Sequence, residues 1–269
     1  MNDPSLHPVI CRYIEQNDLE NVEGAFAFVG GEDLVKPGLG LRRRTRLRVC
    51  DEENRCWEMY LKRYESPGWI TRLWRCLTGR RSGCPAQREY ESAKRLRKAG
   101  VSAMRPVIWG ADVGLLGVKR SYVIVSAVPG DSLERIGEDF LQRNLQTPGN
   151  IESLTDALVR LVHRMHEVGY VHRDLYASHI FLHDYEGRIE LYLIDLARTL
   201  RPRWRTFRWR VKDLAQLKYS MPWVWVKMSW SRFLHGYLAG ACEKELERWE
   251  TAIDAKVKQM ARHDQRNGR

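Results

Sequence analysis

Residues 151 to 168 carry the clearest pattern in the chain. Leu154, Ala157, Leu158, Leu161, Val162, Met165 and Val168 recur at i, i+3, i+4 and i+7 spacing, which predicts an amphipathic helix closed by Gly169. Nearer the start the period shortens. TRLRVC (45–50) and CWEMYLKRY (56–64) flank the polar turn DEEN and predict a β-hairpin. CPAQREYESAKRLRKAG, opened by Pro85 and closed by Gly100, predicts a helix. RSYVIVSAV (120–128) is a β-branched run and predicts a buried strand. PGDSLERI follows as a turn and helix start, with Asp131 and Glu134 at capping-box spacing. HIFLHDYEGRIELYLIDLA predicts strand, turn, strand, and the last third is helical in pattern and rich in tryptophan. A small β-rich half with one helix, a strand linker and a helical half predict an α+β chain of two lobes with a cleft between them. The boundaries fall at about residues 20–127 for the N-lobe and 130–260 for the C-lobe, within one domain spanning 1–269.

Composition narrows the class. With 43% hydrophobic and 29% charged residues, the 269-residue chain reads as globular rather than disordered. A formal net charge of +11 points to an anionic partner without choosing among nucleotide, phosphorylated sugar, lipid surface and nucleic acid. Cysteines at 11, 50, 56, 76, 84 and 242 form no CxxC, and their irregular spacing reads as free thiols in a reducing compartment. MNDPSLHPVI has no basic segment followed by an apolar run, so no secretory signal is visible. The longest apolar-looking stretch, MPWVWVKMSW (221–230), is far short of the roughly 20 residues that cross a bilayer. The expected location is cytoplasmic, or peripheral on a membrane.

Candidate chemistry lies around VHRDLYASHIFL (171–182). Phosphoryl transfer needs a cation on the nucleotide phosphates, metal ligands, and an acid that receives or orients the attacking hydroxyl. Lys62, near the end of the strand MYLKRY, is a candidate for the first. Glu89 shares a helical face with Ala86, Ala93 and Leu96, and a carboxylate on an apolar face needs a buried partner, for which Lys62 is the natural choice. Glu91 instead shares its face with Gln87, Arg88, Lys94, Arg95 and Lys98 and reads as solvated. Asp174, after His172 and Arg173, lies between a long helix and a hairpin, the context of a kinase catalytic loop. Asp195, read as ending the second strand of the hairpin in ELYLIDLA, is placed to meet magnesium, with a helix-cap or turn acid as the plainer alternative. In the kinase pattern an Asn five residues past the loop Asp binds the second metal. Here that residue is His179, whose neutral imidazole can ligate a divalent ion, although magnesium prefers oxygen; a histidine packed in the hairpin is the plainer alternative.

YVHRDLYASHIFL, LYLIDLAR and RWRVKDLAQLKYS resemble the lipopolysaccharide core kinase family, the Kdo and heptose kinases with a protein-kinase-like fold. The resemblance extends to RRRTRLRV, YLKRY, QREYESAKRLRKAGV, AMRPVIWG and DSLERI, about residues 40 to 240. It implies a two-lobed protein-kinase-like fold, ATP and Mg2+, and phosphorylation of an inner-core sugar hydroxyl on a lipid A-linked core oligosaccharide. By motif it carries over Lys62, Glu89, Asp174, His179 and Asp195, and gives Asp213 the structural task of tying down the catalytic loop. No GxGxxG occurs; PGLG, with Gly38 and Gly40, is the nearest candidate for a phosphate-covering turn. Asp213 follows Asp195 by only 18 positions and no APE follows, so a glycan or other small acceptor fits better than a peptide.

Two surface features remain. Arg42, Arg44, Arg46 and Arg48 alternate and share one strand face, either a contact for an anionic acceptor or a solvated face. RPRWRTFRWR (201–210), with Trp223, Trp225 and Trp230, suits either core packing beside a basic face or contact with the inner membrane. No nucleic-acid-binding motif occurs, so nucleic acid is not an expected partner. Two rivals stay open: a pseudokinase acting as a binding module, and a kinase for another small hydroxyl acceptor.

Overall fold

The Arg-rich strand alternates as a pleated sheet requires: Thr45, Leu47 and Val49 are buried, Arg42, Arg46 and Arg48 are exposed, and Arg44 is half-buried. In the computed structural model, residues 6–34, 42–65, 83–115, 117–145, 147–185 and 188–266 are described. They belong to two compact units, Met1–Arg95 with Met104–Ala127, and Leu96–Ala103 with Val128–Arg269. The PGLG candidates Gly38 and Gly40, and Cys76, lie outside the described residues.

The first unit is built on an antiparallel sheet of β1 (Glu32–Asp33), β2 (Arg42–Cys50), β3 (Cys56–Glu65), β4 (Pro106–Gly114) and β5 (Gly117–Ser126), in the order β1-β2-β3-β5-β4. The hairpin foreseen at DEEN is β2–β3, and the β-branched run is β5, buried from Tyr122 to Val125. Helices α1 (Pro8–Gln16) and α2 (Val22–Ala27) were not foreseen. Ile10, Ile14, Leu19 and Ala25 pack against Leu47, Met59, Leu61, Tyr122 and Ile124, and the Tyr122 hydroxyl donates to the Leu19 carbonyl over 2.8 Å. Each fully buried aliphatic side chain there contributes about 1.5–3 kcal/mol. Helix α3 (Pro85–Lys98) starts at Pro85 as expected, and Ala86, Glu89, Ala93 and Leu96 form its fully buried face.

The free-thiol expectation fails at two positions. The β2–β3 register sets Cys50 opposite Cys56, and the two form a disulfide with their Cα atoms 4.0 Å apart. Spacing along the chain hid this pairing, because it is made across the turn. Asp51 organises that turn, accepting from the Glu53 and Arg55 backbone amides and from the Arg55 side chain. Among the described residues Cys11, Cys84 and Cys242 are free.

The second unit begins with β6 (Asp131–Ser132), which joins β7 (Ile180–Tyr185) and β8 (Arg188–Leu193) in a three-stranded sheet. Gly130 is needed before β6: its φ is +80°, and a Cβ there would meet the Leu182 carbonyl oxygen at 1.9 Å. The Asp131 capping box does not form. Helix α4 (Leu133–Asn144) takes Ser132 as N-cap, one residue later than expected, so Glu134 falls short of the third helical position and Asp131 pairs with Arg135. Helix α5 (Pro148–Glu167) buries the expected stripe from Leu154 to Met165, and Gly169 ends it with a φ of +85°. Val168 lies just past its end and is half-buried.

Helix α5 packs on β8 and on α7 (Trp223–Tyr237), while α6 (Thr206–Ser220) packs on α8 (Glu243–Arg266). The tryptophans divide. Trp225 and Trp230 are core residues, with Trp225 Nε1 donating to Thr155 over 3.1 Å, whereas Trp204 and Trp223 are 82% and 68% exposed. No helix among the described residues is long and apolar enough to cross a membrane.

Reducing the Cys50–Cys56 bond should lower stability by about 2 kcal/mol, the loop-closure entropy of so short a ring. Urea denaturation with and without dithiothreitol checks it, with Cys50→Ser/Cys56→Ser as the control that must ignore the reductant.

Candidate active site

In the first unit, β3 turns Lys62 to the side opposite its neighbour Leu61. Its ammonium lies 2.5 Å from Glu89 Oε1, in a pair whose carboxylate has no solvent exposure. The Tyr64 hydroxyl donates to Glu89 Oε2 over 2.7 Å. The partnership argued from the helix face is therefore present, with a second donor two residues along β3 that sequence reasoning missed. Glu91 pairs with Arg95 at the surface, as its solvated face required.

In the second unit, one carboxylate organises the loop that follows α5. Asp213, fully buried on α6, accepts from the His172 backbone amide at 2.6 Å and the Arg173 amide at 2.7 Å. His166 stands 3.2 Å from the same carboxylate through Nε2 and 2.8 Å from the Tyr237 hydroxyl through Nδ1. Because a carboxylate only accepts, Nε2–H donates to Asp213 and Tyr237 donates to Nδ1. Asp213 thus ties down the loop, as expected, but His166 was not foreseen. It adjoins the apolar stripe of α5, and only the fold reveals its partner.

Three elements bring the remaining candidates together. The 3-10 turn Ala177–His179 sets His179 so that its Nδ1 donates to the Asp174 carbonyl over 2.8 Å. That bond orients the ring so that Nε2 faces Asp195, whose Oδ2 is 3.8 Å away. Asp195 does not end β8. The strand stops at Leu193, and Asp195 caps a second 3-10 turn, Leu196–Arg198, in the left-handed conformation with φ 56°. Arg173 is also left-handed, at φ 71°. Such backbone costs on the order of 1–3 kcal/mol per residue and persists where its surroundings fix it, as Asp213 does at Arg173.

The Asp174 carboxylate has a partner that was not foreseen. Arg198 Nη1 lies 2.9 Å from each of its oxygens. Lys212 donates to the Arg173 carbonyl over 2.7 Å; burial, followed by the Arg198 charge, pulls its ammonium below the ordinary lysine range. The Arg173 guanidinium sits 5.1 Å from the centroid of the Trp209 ring. Among the described residues no three His, Cys, Asp or Glu side chains gather as a metal cage. The Asp195 carboxylate suits a hard ion that keeps water and phosphate among its ligands, whereas the imidazole nitrogen facing it is a softer donor that such an ion takes less readily.

The fold is α+β and protein-kinase-like, and along 96% of its length the chain matches 97% of a solved structure described as "WaaP in complex with acyl carrier protein", at TM-score 0.69 and 25% identity. The model of the lipopolysaccharide kinase (Kdo/WaaP) family matches residues 41–237, and the chain belongs to that family. It is 30% identical over 166 residues to the lipopolysaccharide core heptose(I) kinase WaaP of Pseudomonas aeruginosa, covering 60% of this chain and 62% of that one. To the enzyme of the same name from Escherichia coli it is 33% identical over 148 residues, 50% of this chain and 52% of that one. The matched stretches thus span between about half and three fifths of these curated relatives.

Asp213→Ala should cost about 3–5 kcal/mol, because it strands two buried amides and the His166 N–H; urea denaturation measures it, and a cost under 1 kcal/mol would refute the clamp. Burial holds His166 and His172 below the ordinary histidine value of 6.5. The unfolded chain therefore takes up protons first, so stability is full above pH 6.5 and falls as pH drops below it. The slope approaches about 1.4 kcal/mol per pH unit for each imidazole. A urea midpoint that stays flat from pH 7.5 to 5.5 would contradict this.

Proposed function

We propose that this protein is an ATP-dependent kinase that phosphorylates a hydroxyl of an inner-core sugar, heptose or Kdo, on a lipid A-linked oligosaccharide. The observation that carries the reading is the Asp213-clamped loop, which presents Asp174 beside the facing pair His179 and Asp195. Family membership and the names of the curated relatives support the reaction class. In this reading the two units are the small and large lobes of one kinase domain.

Each residue then has one task. Lys62, held by Glu89 and Tyr64, neutralises the α- and β-phosphates of ATP. The acceptor hydroxyl donates its hydrogen bond to the Asp174 carboxylate, which fixes the attack line and takes the proton. The hydroxyl oxygen bonds to the γ-phosphorus while the bond to the bridging oxygen of ADP breaks. His179 Nε2 and Asp195 would hold Mg2+, whose chemistry is to neutralise phosphate charge. Gly38 and Gly40 stay candidates for covering the phosphates.

Partners follow from the same reading. The exposed Trp204 lies between Arg203 and Arg205, and Lys227 sits over the exposed Trp223 ring at 5.6 Å from its centroid. Aromatic and cationic side chains so mixed suit peripheral contact with the cytoplasmic face of an anionic inner membrane, where a lipid-linked acceptor resides. An acyl carrier protein, the partner of the solved relative, is carried over as a partner on that ground.

The deciding experiment is transfer of labelled phosphate from Mg-ATP to purified lipopolysaccharide core. Wild type should phosphorylate the glycan, and Asp174→Ala should lose about 10²–10⁴-fold in rate, the range for a removed general base. A thermal shift with Mg-ATP but no transfer by wild type would favour the binding-module reading.

A further inference from the structure

The loop from Asp174 to His179 reads Asp-Leu-Tyr-Ala-Ser-His and contains no lysine or arginine. A transferring phosphoryl group spreads negative charge over its equatorial oxygens, and a cation held beside the attacking hydroxyl favours that state over the ground state. The stretch from Asp174 onward therefore carries no cation of its own beside the carboxylate, and the fold supplies one from another segment. Arg198 Nη1 bridges both Asp174 oxygens at 2.9 Å, and it is the cation in contact with this carboxylate among the described residues.

Three features make the placement more than a chance surface pair. Arg198 ends the 3-10 turn that Asp195 caps, so one short turn and its cap carry both the candidate metal ligand and the cation. Leu196 and Ala197, between them, are buried and anchor the turn. Beyond it, Leu200 forms an isolated antiparallel bridge with Val171: the Val171 amide donates to the Leu200 carbonyl over 3.0 Å and the Leu200 amide donates back over 3.1 Å. Val171 stands three residues before Asp174 and Leu200 two after Arg198, so the bridge ties their backbones together. The guanidinium itself is half exposed and reaches the carboxylate through Nη1, so that Nε and Nη2 have no partner among the described residues and can meet an arriving oxyanion.

We propose that Arg198 is a positioning residue for the transfer step: it fixes the plane of the Asp174 carboxylate toward the acceptor hydroxyl and sets a positive charge beside it that the stretch from Asp174 to His179 does not carry. The assignment rests on the kinase reading above. Because the Arg198 side chain is half exposed and water can replace it at the carboxylate, its loss should appear in catalysis more than in folding.

The test compares wild type, Arg198→Gln and Arg198→Lys for Mg-ATP-dependent transfer to purified lipopolysaccharide core, with the thermal midpoint of each protein recorded. Arg198→Gln should lower kcat by about 10²–10³-fold, the effect of removing one preorganised donor, with the KM for ATP and the thermal midpoint essentially unchanged. Arg198→Lys, which keeps the charge, should recover about tenfold of that loss. Unaltered kcat in Arg198→Gln, a raised acceptor KM at constant kcat, a fall in thermal midpoint that accounts for the lost activity, or no recovery in Arg198→Lys would each overturn the proposal. An inert wild type would overturn the kinase reading and this assignment with it; an active wild type with an unimpaired Arg198→Gln would overturn this assignment alone.

Discussion

The buried carboxylate of Asp213 is the contact on which the second unit's site depends. An ionised group with no solvent exposure is tolerable where donors surround it, and here two successive backbone amides and an imidazole N–H do so. The exchange is mutual. The loop satisfies the charge, and the charge holds Arg173 in a left-handed conformation that a non-glycine residue avoids unaided. From that turn Asp174 is directed toward Arg198, and the chain closes back so that His179 meets the Asp174 carbonyl. His166 and Tyr237 form the outer layer of the same arrangement, so a histidine remote from any reacting atom shares in holding it.

Much of this was legible in the residues, and the exceptions have a common cause. Elements whose signal is local were read well: the hairpin around DEEN, the stripe of α5, the helix opened by Pro85, and the Lys62 partner inferred from the apolar face of α3. What escaped depends on pairing across space. Cys50 and Cys56 are bonded because of strand register, which a count of cysteine spacings does not see. Asp195 reads as a strand terminus, yet β8 stops at Leu193 and the chain turns left-handed before the carboxylate. Arg198 is unremarkable in LIDLAR until the bridge at Leu200 sets it against Asp174. The tryptophans split for the same reason: Trp225 and Trp230 lie on the core side of α7 and Trp223 does not, a division that composition alone leaves open.

The Val171–Leu200 bridge has a further meaning. Its two hydrogen bonds close a segment that holds Asp174, His179, Asp195 and Arg198, together with the β7–β8 hairpin. Four side chains from two turns and the loop before them therefore belong to one closed stretch of backbone, held at this seam, at the Ala103–Leu193 bridge and by Asp213. The amide protons of Val171 and Leu200, each hydrogen-bonded across the seam, therefore report through their exchange with solvent whether that closure is intact.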